Sequence, residues 1–166
     1  VRWSLNQALA DEGRDPVSID QVKDYVGQGA RQLAERALRD TGGLLDDAQH
    51  KRLLDGFLGT YRNNPVQFTT VFPGVFEALA RLQARDIKLA ICTNKPEALA
   101  HTLLTRLGVR DAFGAMVGAD TLAMRKPDPE HLFETARRAG GDPALCLLVG
   151  DTNTDRETAR AAGVPC

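Results

Sequence analysis

The sequence predicts an α/β protein, with a parallel sheet core over residues 72–166 and a helical lobe over residues 1–71. Up to about residue 65, apolar residues recur only at the spacing of helices. From about residue 72, short apolar runs alternate with helical segments, a pattern typical of βαβ units. A chain of 166 residues has room for such a core and a small accessory lobe.

The helical lobe is predicted from capping signals and from an i, i+4 repeat of apolar residues. Ser18 followed by Gln21 is a capping-box pattern that opens a helix. Glycines at 42–43 and asparagines at 63–64 interrupt the helices. The repeat is carried by Leu33, Ala37 and Leu38 in one helix and by Leu53, Leu54, Phe57, Leu58 and Tyr61 in the next.

The sheet core is predicted from three apolar runs, IKLAIC at 87–92, AMVG at 115–118 and LCLLV at 145–149. Helices are expected after Pro73 and Gly74, over 96–107, from Asp128 as N-cap with Pro129 to 139, and over 153–162. Strands that are buried on both faces need neighbours, and three are few. The chain also starts inside a helix and stops at GVPC, where a strand would start. We therefore expect a sequence that is incomplete at both ends.

Composition excludes some classes of partner. The formal net charge is −1, which gives no general attraction to nucleic acid or to an acidic membrane surface. No apolar run approaches the roughly 20 residues of a membrane span, and the N-terminus VRWSLNQALADEG is amphipathic rather than a signal peptide. We expect a cytoplasmic protein, monomeric or homodimeric, without nucleic-acid or membrane partners.

The cysteines favour a structural role. Cys92, Cys146 and Cys166 are odd in number and lack CxxC spacing, which is typical of small buried hydrophobic residues in a reducing cytosol. A catalytic thiol would need a histidine nearby, and all three histidines fall in helical segments. We therefore expect no catalytic cysteine.

Polar residues follow the first two predicted strands. Thr93 and Asn94 come after IKLAIC, where a hydroxyl and the N–H groups of a helix start can bind an anion. The equally good alternative is a threonine at a strand end and Asn94 as N-cap. Lys126 precedes Pro127, which favours an extended backbone, and it can reach a phosphate as a point charge. The alternative is a solvated surface lysine, which a lone lysine usually is.

An acid pair follows the third predicted strand. Asp151 stands at its end and Asp155 one helical turn later. Two carboxylates with waters and phosphate oxygens suit Mg²⁺, whereas the alternative is Asp151 as N-cap and Asp155 as a favourable first-turn charge. Ligands bind beyond the carboxyl ends of parallel strands. Because Thr93, Lys126 and the acid pair all follow predicted strands, we expect them at one edge of the sheet. Together they predict a phosphate site with a metal.

Three motifs resemble those of the haloacid dehalogenase-like (HAD) superfamily. ICTNKP resembles its second motif, RKPDPE its third and VGDTNTD its fourth, in the same order and spacing. VGQGARQLAERAL, YRNNP and FPGV further resemble the helical cap and the return to the core in its bacterial phosphoglycolate phosphatases. The resemblance implies a Rossmann-like core with an N-terminal helical cap. It also implies Mg²⁺-dependent hydrolysis of a small phosphate ester, first of all 2-phosphoglycolate, in carbohydrate metabolism.

The resemblance also implies roles for individual residues. Thr93 and Asn94 would bind the phosphate, and Lys126 would neutralise its charge and that of the nucleophile. Asp151 would ligate Mg²⁺, and Asp155 would support the metal waters or Lys126. Arg31 in the GQGAR turn could bind a substrate carboxylate through its bidentate fork, or it could be an exposed arginine at a helix start.

The first motif of the family, DxDGT after a strand, is absent, and no Asp-x-Asp occurs in the chain. In the family the first aspartate attacks phosphorus, and the second protonates the leaving oxygen. We therefore expect the nucleophile upstream of Val1. We also expect residues 1–166 alone to be poorly stable and inactive.

Other functions stay open. The core motifs fit a phosphatase for another ester, a pyrophosphatase or a phosphosugar mutase equally well, because the cap selects the substrate. A receiver module also places Asp, Thr and Lys around Mg²⁺, but its acid pair comes first in the chain and here it comes last. A third alternative is a relic that binds phosphate weakly or not at all.

Overall fold

The computed structural model describes residues 1–43 and 46–166, which form two compact units, Val1–Pro65 and Val66–Cys166. The first unit is helical where it is described, and the second combines helices with a parallel sheet. Within these described ranges, no helix is long and apolar enough to cross a membrane. The assignment of residues 1–71 to a cap and of 72–166 to a core stays a prediction.

Four helices make up the described part of the first unit: α1 Arg2–Asp11, α2 Ile19–Tyr25, α3 Ala30–Asp40 and α4 Asp47–Asn63. Helix α4 packs against both α1 and α3. Leu5 and Leu38 are fully buried, and Leu53 is almost fully buried. Burial of each such side chain stabilises the fold by roughly 1.5–3 kcal/mol relative to leaving it exposed. The predicted capping box is confirmed, since Ser18 Oγ accepts from Gln21 N and Gln21 Oε1 accepts from Ser18 N.

The described second unit contains one βαβ crossover, as predicted. Strand β1 (Ala90–Cys92) runs parallel to β2 (Ala115–Val117), with Ala90 opposite Ala115 and Cys92 opposite Val117. The chain between the two strands forms the helix Glu97–Arg106. The remaining elements are α5 Val75–Gln83, α6 Glu97–Arg106, α7 Pro129–Arg138, α8 Asn153–Ala162 and the 3₁₀ turns Arg110–Ala112 and Pro143–Leu145.

The prediction of a third strand over 145–149 is wrong for the described chain, because the segment joins no ladder there. Leu145 ends a 3₁₀ turn, and the segment's link to the following chain is a hydrogen bond from Leu148 N to Pro165 O at 3.0 Å. Burial nevertheless alternates with the period of a strand. Leu147 and Val149 are 61% and 87% exposed, whereas Leu148 is 6% exposed and packs with Leu132 and Ala159.

Two helix starts carry the polar residues of interest. Helix α7 begins as predicted, with Asp128 as N-cap and Pro129 in its first turn; Asp128 Oδ1 accepts from Glu130 N at 2.9 Å. Helix α8 begins with a capping box that joins Thr152 and Asp155. The alternative of Asp151 as N-cap is therefore wrong, because the Thr152 hydroxyl caps the Asp155 amide.

Candidate active site

The end of β1, the loop before α7 and the start of α8 meet at one edge of the second unit. Asn94 Nδ2 donates to the Lys126 carbonyl at 2.9 Å. Lys126 Nζ in turn lies 2.6 Å from Asp155 Oδ1. Three residues that were predicted from separate motifs are thus connected in a single chain of contacts. Thr93 is held at the same edge because its N–H donates to Val117 O at 3.0 Å.

Lys126 and Asp155 form a buried ion pair, with side chains that are 9% and 7% exposed. The other carboxylate oxygen, Asp155 Oδ2, accepts from Thr152 N at 3.0 Å and from Thr152 Oγ1 at 2.6 Å. Burial acts to raise the pKa of Asp155, but the hydrogen bonds from Lys126 and Thr152 outweigh it and lower that pKa below its ordinary value. The site therefore holds a charged carboxylate against a lysine of fixed position.

Gly150 leaves the space that the Asp155 carboxylate occupies. A Cβ atom at position 150 would lie 2.6 Å from Asp155 Oδ2 and closer still to the carbon atoms of that side chain. Sequence reasoning missed this residue. The signal available was a glycine between an apolar run and an aspartate, which often indicates close approach of another group.

The turn after β1 is organised by its own side chains. Thr93 Oγ1 accepts from Lys95 N at 3.1 Å, and the first amide of α6, Glu97 N, donates to Asp120 Oδ1 at 2.7 Å. The anion site expected at this helix start therefore has fewer amides for an anion than predicted, because Lys95 N and Glu97 N donate to protein acceptors. Asn94 as N-cap is wrong, since Pro96 holds that position.

Asp151 is exposed in a bend before α8, and its side chain forms no hydrogen bond or ion pair with the described residues. Across 1–43 and 46–166, no group of three or more His, Cys, Asp and Glu side chains could hold a metal ion. Mg²⁺ needs no such group, because it keeps several waters and takes one or two carboxylates with phosphate oxygens. An accessible Asp151 carboxylate fits that mode of binding.

Arg31 lies in the other unit. It is exposed in the first turn of α3, whose N-cap is Gly29 with a positive φ of 89°, a value that favours glycine. Arg31 thus belongs to the first unit and the phosphate-site residues to the second, and its contact with a substrate stays a prediction.

A histidine lies beside one cysteine, contrary to expectation. Cys92 Sγ is 3.2 Å from His131 Nδ1, although the two residues are 39 positions apart in sequence. Burial raises the pKa of the Cys92 thiol, against the opposing effect of the Lys126 charge. A thiol with a raised pKa is a poor nucleophile, so the prediction of a structural cysteine agrees with this environment.

Comparison with known proteins identifies the class. The family model of haloacid dehalogenase-like hydrolases matches residues 2–166. The chain belongs to this family of enzymes, which confirms the resemblance of its three motifs. The α/β fold class is confirmed with it, because solved structures of the same family superimpose on nearly the whole chain.

Several relatives carry one name. The phosphoglycolate phosphatase of Mesorhizobium japonicum is 46% identical over 162 residues, which cover 98% of this chain and 71% of that protein. The phosphoglycolate phosphatase of Rhodospirillum rubrum is 43% identical over 166 residues, 98% of this chain and 69% of that protein. The crystal structure of a predicted phosphoglycolate phosphatase from Haemophilus somnus has a TM-score of 0.91 at 30% identity and covers 98% of this chain and 74% of its own.

Proposed function

We propose that this protein is a Mg²⁺-dependent phosphomonoester hydrolase that converts 2-phosphoglycolate to glycolate and phosphate. The observation that carries the proposal is the buried Lys126–Asp155 ion pair, which Asn94 connects to the strand end at Thr93. The names of the relatives support the choice of substrate, since those proteins match 98% or more of the chain.

Lys126 supplies positive charge to the phosphoryl group. The Lys126 ammonium group has three N–H donors, and one of them is directed to Asp155. The remaining donors can bind phosphate oxygens while Asp155 keeps the side chain in place. Neutralising the charge of a transferring phosphoryl group is a main requirement of this chemistry.

Thr93 and Asn94 orient the phosphate in this proposal. The Thr93 hydroxyl accepts from Lys95 N, so its own O–H can donate to a phosphate oxygen. The Asn94 amide bridges to the lysine loop through the Lys126 carbonyl. A phosphate bound here would therefore contact two elements that the protein already holds together.

Asp151 would hold the magnesium ion, whose positive charge polarises the phosphoryl group when it is bound. The accessible carboxylate at the end of the extended segment is the feature that suits this role. Asp155 would support the site from behind through Lys126 rather than ligate the ion, because both of its oxygens already accept hydrogen bonds from protein groups.

The reaction we propose passes through a phosphoaspartate. A carboxylate oxygen attacks phosphorus, the phosphorus–oxygen bond to glycolate breaks, and the leaving oxygen takes a proton from the second aspartate of the same Asp-x-Asp motif. Water then gives a proton to that second aspartate as it attacks phosphorus and breaks the acyl-phosphate bond, which restores the first carboxylate and releases phosphate. The attacking aspartate is proposed to precede residue 1, because the chain has no Asp-x-Asp and corresponds to 71% of the Mesorhizobium relative.

Arg31 is proposed to bind the carboxylate of 2-phosphoglycolate. Its guanidinium is exposed at the start of α3, and arginine binds carboxylates through two parallel hydrogen bonds. An ester without a carboxylate would gain nothing from this residue. Arg31→Lys should therefore lower the ratio of kcat/KM for 2-phosphoglycolate to kcat/KM for a phosphate ester without a carboxylate.

The experiment measures phosphate release from 2-phosphoglycolate, pyrophosphate and a sugar phosphate, with Mg²⁺ or with a chelator. It compares residues 1–166 with a chain extended by the residues encoded upstream. We expect turnover by the extended chain only, highest kcat/KM for 2-phosphoglycolate, and loss of activity on chelation. Lys126→Met should lower kcat/KM by about 100-fold or more, whereas Lys88→Met, at an exposed lysine, should not.

Each contrary result has a distinct meaning. A higher kcat/KM for a sugar phosphate or pyrophosphate would replace the substrate and leave the hydrolase intact. Turnover by residues 1–166 alone would refute an upstream nucleophile. No release from any ester by either chain would refute the hydrolase itself.

A further inference from the structure

His131 connects three parts of the second unit. It lies in the first turn of α7 and is fully buried. Its Nε2 lies 2.9 Å from the Gly118 carbonyl, directly after β2. Its Nδ1 lies 3.2 Å from Cys92 Sγ, at the end of β1. A single imidazole thus connects the two strand ends with the helix that follows the Lys126 loop.

The two contacts define the proton positions on the ring. A carbonyl oxygen can only accept, so Nε2 carries a hydrogen and donates to Gly118. In a neutral imidazole Nδ1 then accepts, and the Cys92 thiol donates to it. Burial lowers the pKa of His131 against the opposing effect of its bond with Gly118, which agrees with the neutral ring.

Gly118 is a rigid anchor for this contact. Its N–H donates to Thr121 Oγ1 at 2.8 Å. A Cβ atom at position 118 would lie 2.5 Å from Glu97 N and 2.6 Å from Glu97 Cα, so the start of α6 packs directly against this glycine. The carbonyl that His131 binds is therefore held from two sides.

Segment 126–131, which leads from Lys126 into the first turn of α7, contacts the end of β1 and the turn after it at both of its ends. At its start, the Lys126 carbonyl accepts from Asn94 Nδ2 at 2.9 Å. At its far end, His131 contacts Cys92, the residue before Thr93. Besides the apolar packing of Cys92 against the cluster that contains Leu132 of α7, removal of the His131 contact would leave the Asn94–Lys126 hydrogen bond as a polar attachment.

We propose that His131 is a positioning residue of the phosphate site, which holds Lys126 in register with Thr93 by joining α7 to both strand ends. This inference rests on the proposed function, because it concerns the phosphate that Lys126 and Thr93 would bind. His131 touches no substrate in this proposal and acts through segment 126–131, which leads from Lys126 into the first turn of α7, and through the end of β1.

The test titrates inorganic phosphate and follows the amide resonances of Thr93 and Lys126, at a temperature where every variant is folded. His131→Gln keeps a donor near the Nε2 position and should retain the wild-type affinity within about threefold. His131→Ala removes both contacts and should weaken phosphate binding by about tenfold or more, the lower end of what is lost when a residue that supports a metal ligand is removed. His101→Ala, at an exposed histidine of α6, is the matched control and should change nothing.

A second pair of variants covers the case in which His131→Ala fails to fold. Cys92→Ser keeps a donor toward Nδ1, whereas Cys92→Ala removes it. We expect Cys92→Ala to weaken phosphate binding several-fold more than Cys92→Ser does. Wild-type phosphate affinity in folded His131→Ala, or in Cys92→Ala where His131→Ala does not fold, would overturn the inference.

The outcomes separate this inference from the proposed function. If phosphate binds and His131→Ala weakens it, but no ester is hydrolysed, the positioning role stands and the hydrolase fails. If esters are hydrolysed and the variants bind phosphate like the wild type, the hydrolase stands and the positioning role fails. A wild-type chain that binds no phosphate would overturn the positioning role, whereas the hydrolase would still be decided by ester turnover.

Discussion

The ammonium group of Lys126 lies 2.6 Å from the Asp155 carboxylate, and both side chains are almost completely buried. A buried ion pair loses hydration on both sides, so it depends on good geometry and further hydrogen bonds. Thr152 provides two of these bonds to Asp155, and Gly150 leaves room for the carboxylate. The residues around the start of α8 therefore position the Asp155 carboxylate for an ion pair with Lys126, which comes from the loop before α7.

Removal of the carboxylate should leave Lys126 as a buried charge without its partner. We expect Asp155→Ala to lower the free energy of unfolding by about 3 kcal/mol or more, as measured by urea denaturation. Lys126→Met combined with Asp155→Leu should recover much of this loss, because neither charge is then buried. A double variant as unstable as Asp155→Ala would contradict the argument.

An exposed ion pair is the control for that prediction. Lys23 and Asp20 lie 2.8 Å apart with side chains that are 68% and 82% exposed. Solvent screens such pairs strongly, so Asp20→Ala should leave the denaturation midpoint nearly unchanged. A similar loss in both variants would mean that burial does not distinguish the two pairs.

The pH dependence of stability should report the same pair. The pKa of Asp155 in the folded protein is lowered by Lys126 and Thr152 despite burial. Its stabilising contribution is therefore complete above the ordinary aspartate pKa of about 3.9 and is lost as the pH falls through the lowered value. We expect the free energy of unfolding to fall on acidification below about pH 4, and Asp155→Asn to remove part of that fall. Equal pH slopes in both proteins would contradict this.

A methyl group at position 150 should disturb the pair without changing any charge. The added Cβ would lie 2.6 Å from Asp155 Oδ2, so the carboxylate must move away from Lys126 or strain the bend. We expect Gly150→Ala to cost about 1–3 kcal/mol, the range for overpacking, as measured by thermal unfolding. Gly59→Ala is the matched control, since a Cβ there meets nothing within 4 Å and alanine in a helix stabilises by about 0.5–1 kcal/mol. A Gly150→Ala variant with the melting temperature of the wild type would refute the steric argument.

Features that depend on neighbouring residues in sequence could be predicted, and features that depend on distant residues could not. The capping box at Ser18 and the start of α7 at Asp128 follow from local hydrogen bonds and were correct. The pairing of 145–149 depends on a neighbouring strand, and the prediction was wrong for the described chain. Alternating burial of the segment persisted because it reflects the side chains themselves.

The same distinction applies to the site. Lys126 and Asp155 could be placed together because both follow apolar runs of one predicted sheet. His131 could not, since its partner Cys92 is 39 residues away and a helical pattern alone gave no reason to place them together. Gly118 and Gly150 were missed for a related reason: the atoms that exclude a side chain come from Glu97 and from the folded-back Asp155.

Asp151 provides a prediction in which binding changes and stability does not. Its carboxylate is exposed, so Asp151→Asn removes a negative charge without opening a cavity or stranding a buried group. If it ligates Mg²⁺, loss of the charge should weaken Mg²⁺ binding by about tenfold or more, equivalent to about 1.4 kcal/mol. Calorimetric titration of Mg²⁺ in the presence of phosphate measures this. Asp111→Asn, at an exposed aspartate of the 3₁₀ turn Arg110–Ala112, should retain wild-type affinity. Unchanged affinity in Asp151→Asn would show that the ion binds elsewhere, whereas weaker binding at an unchanged melting temperature would assign the carboxylate to the metal and not to the fold.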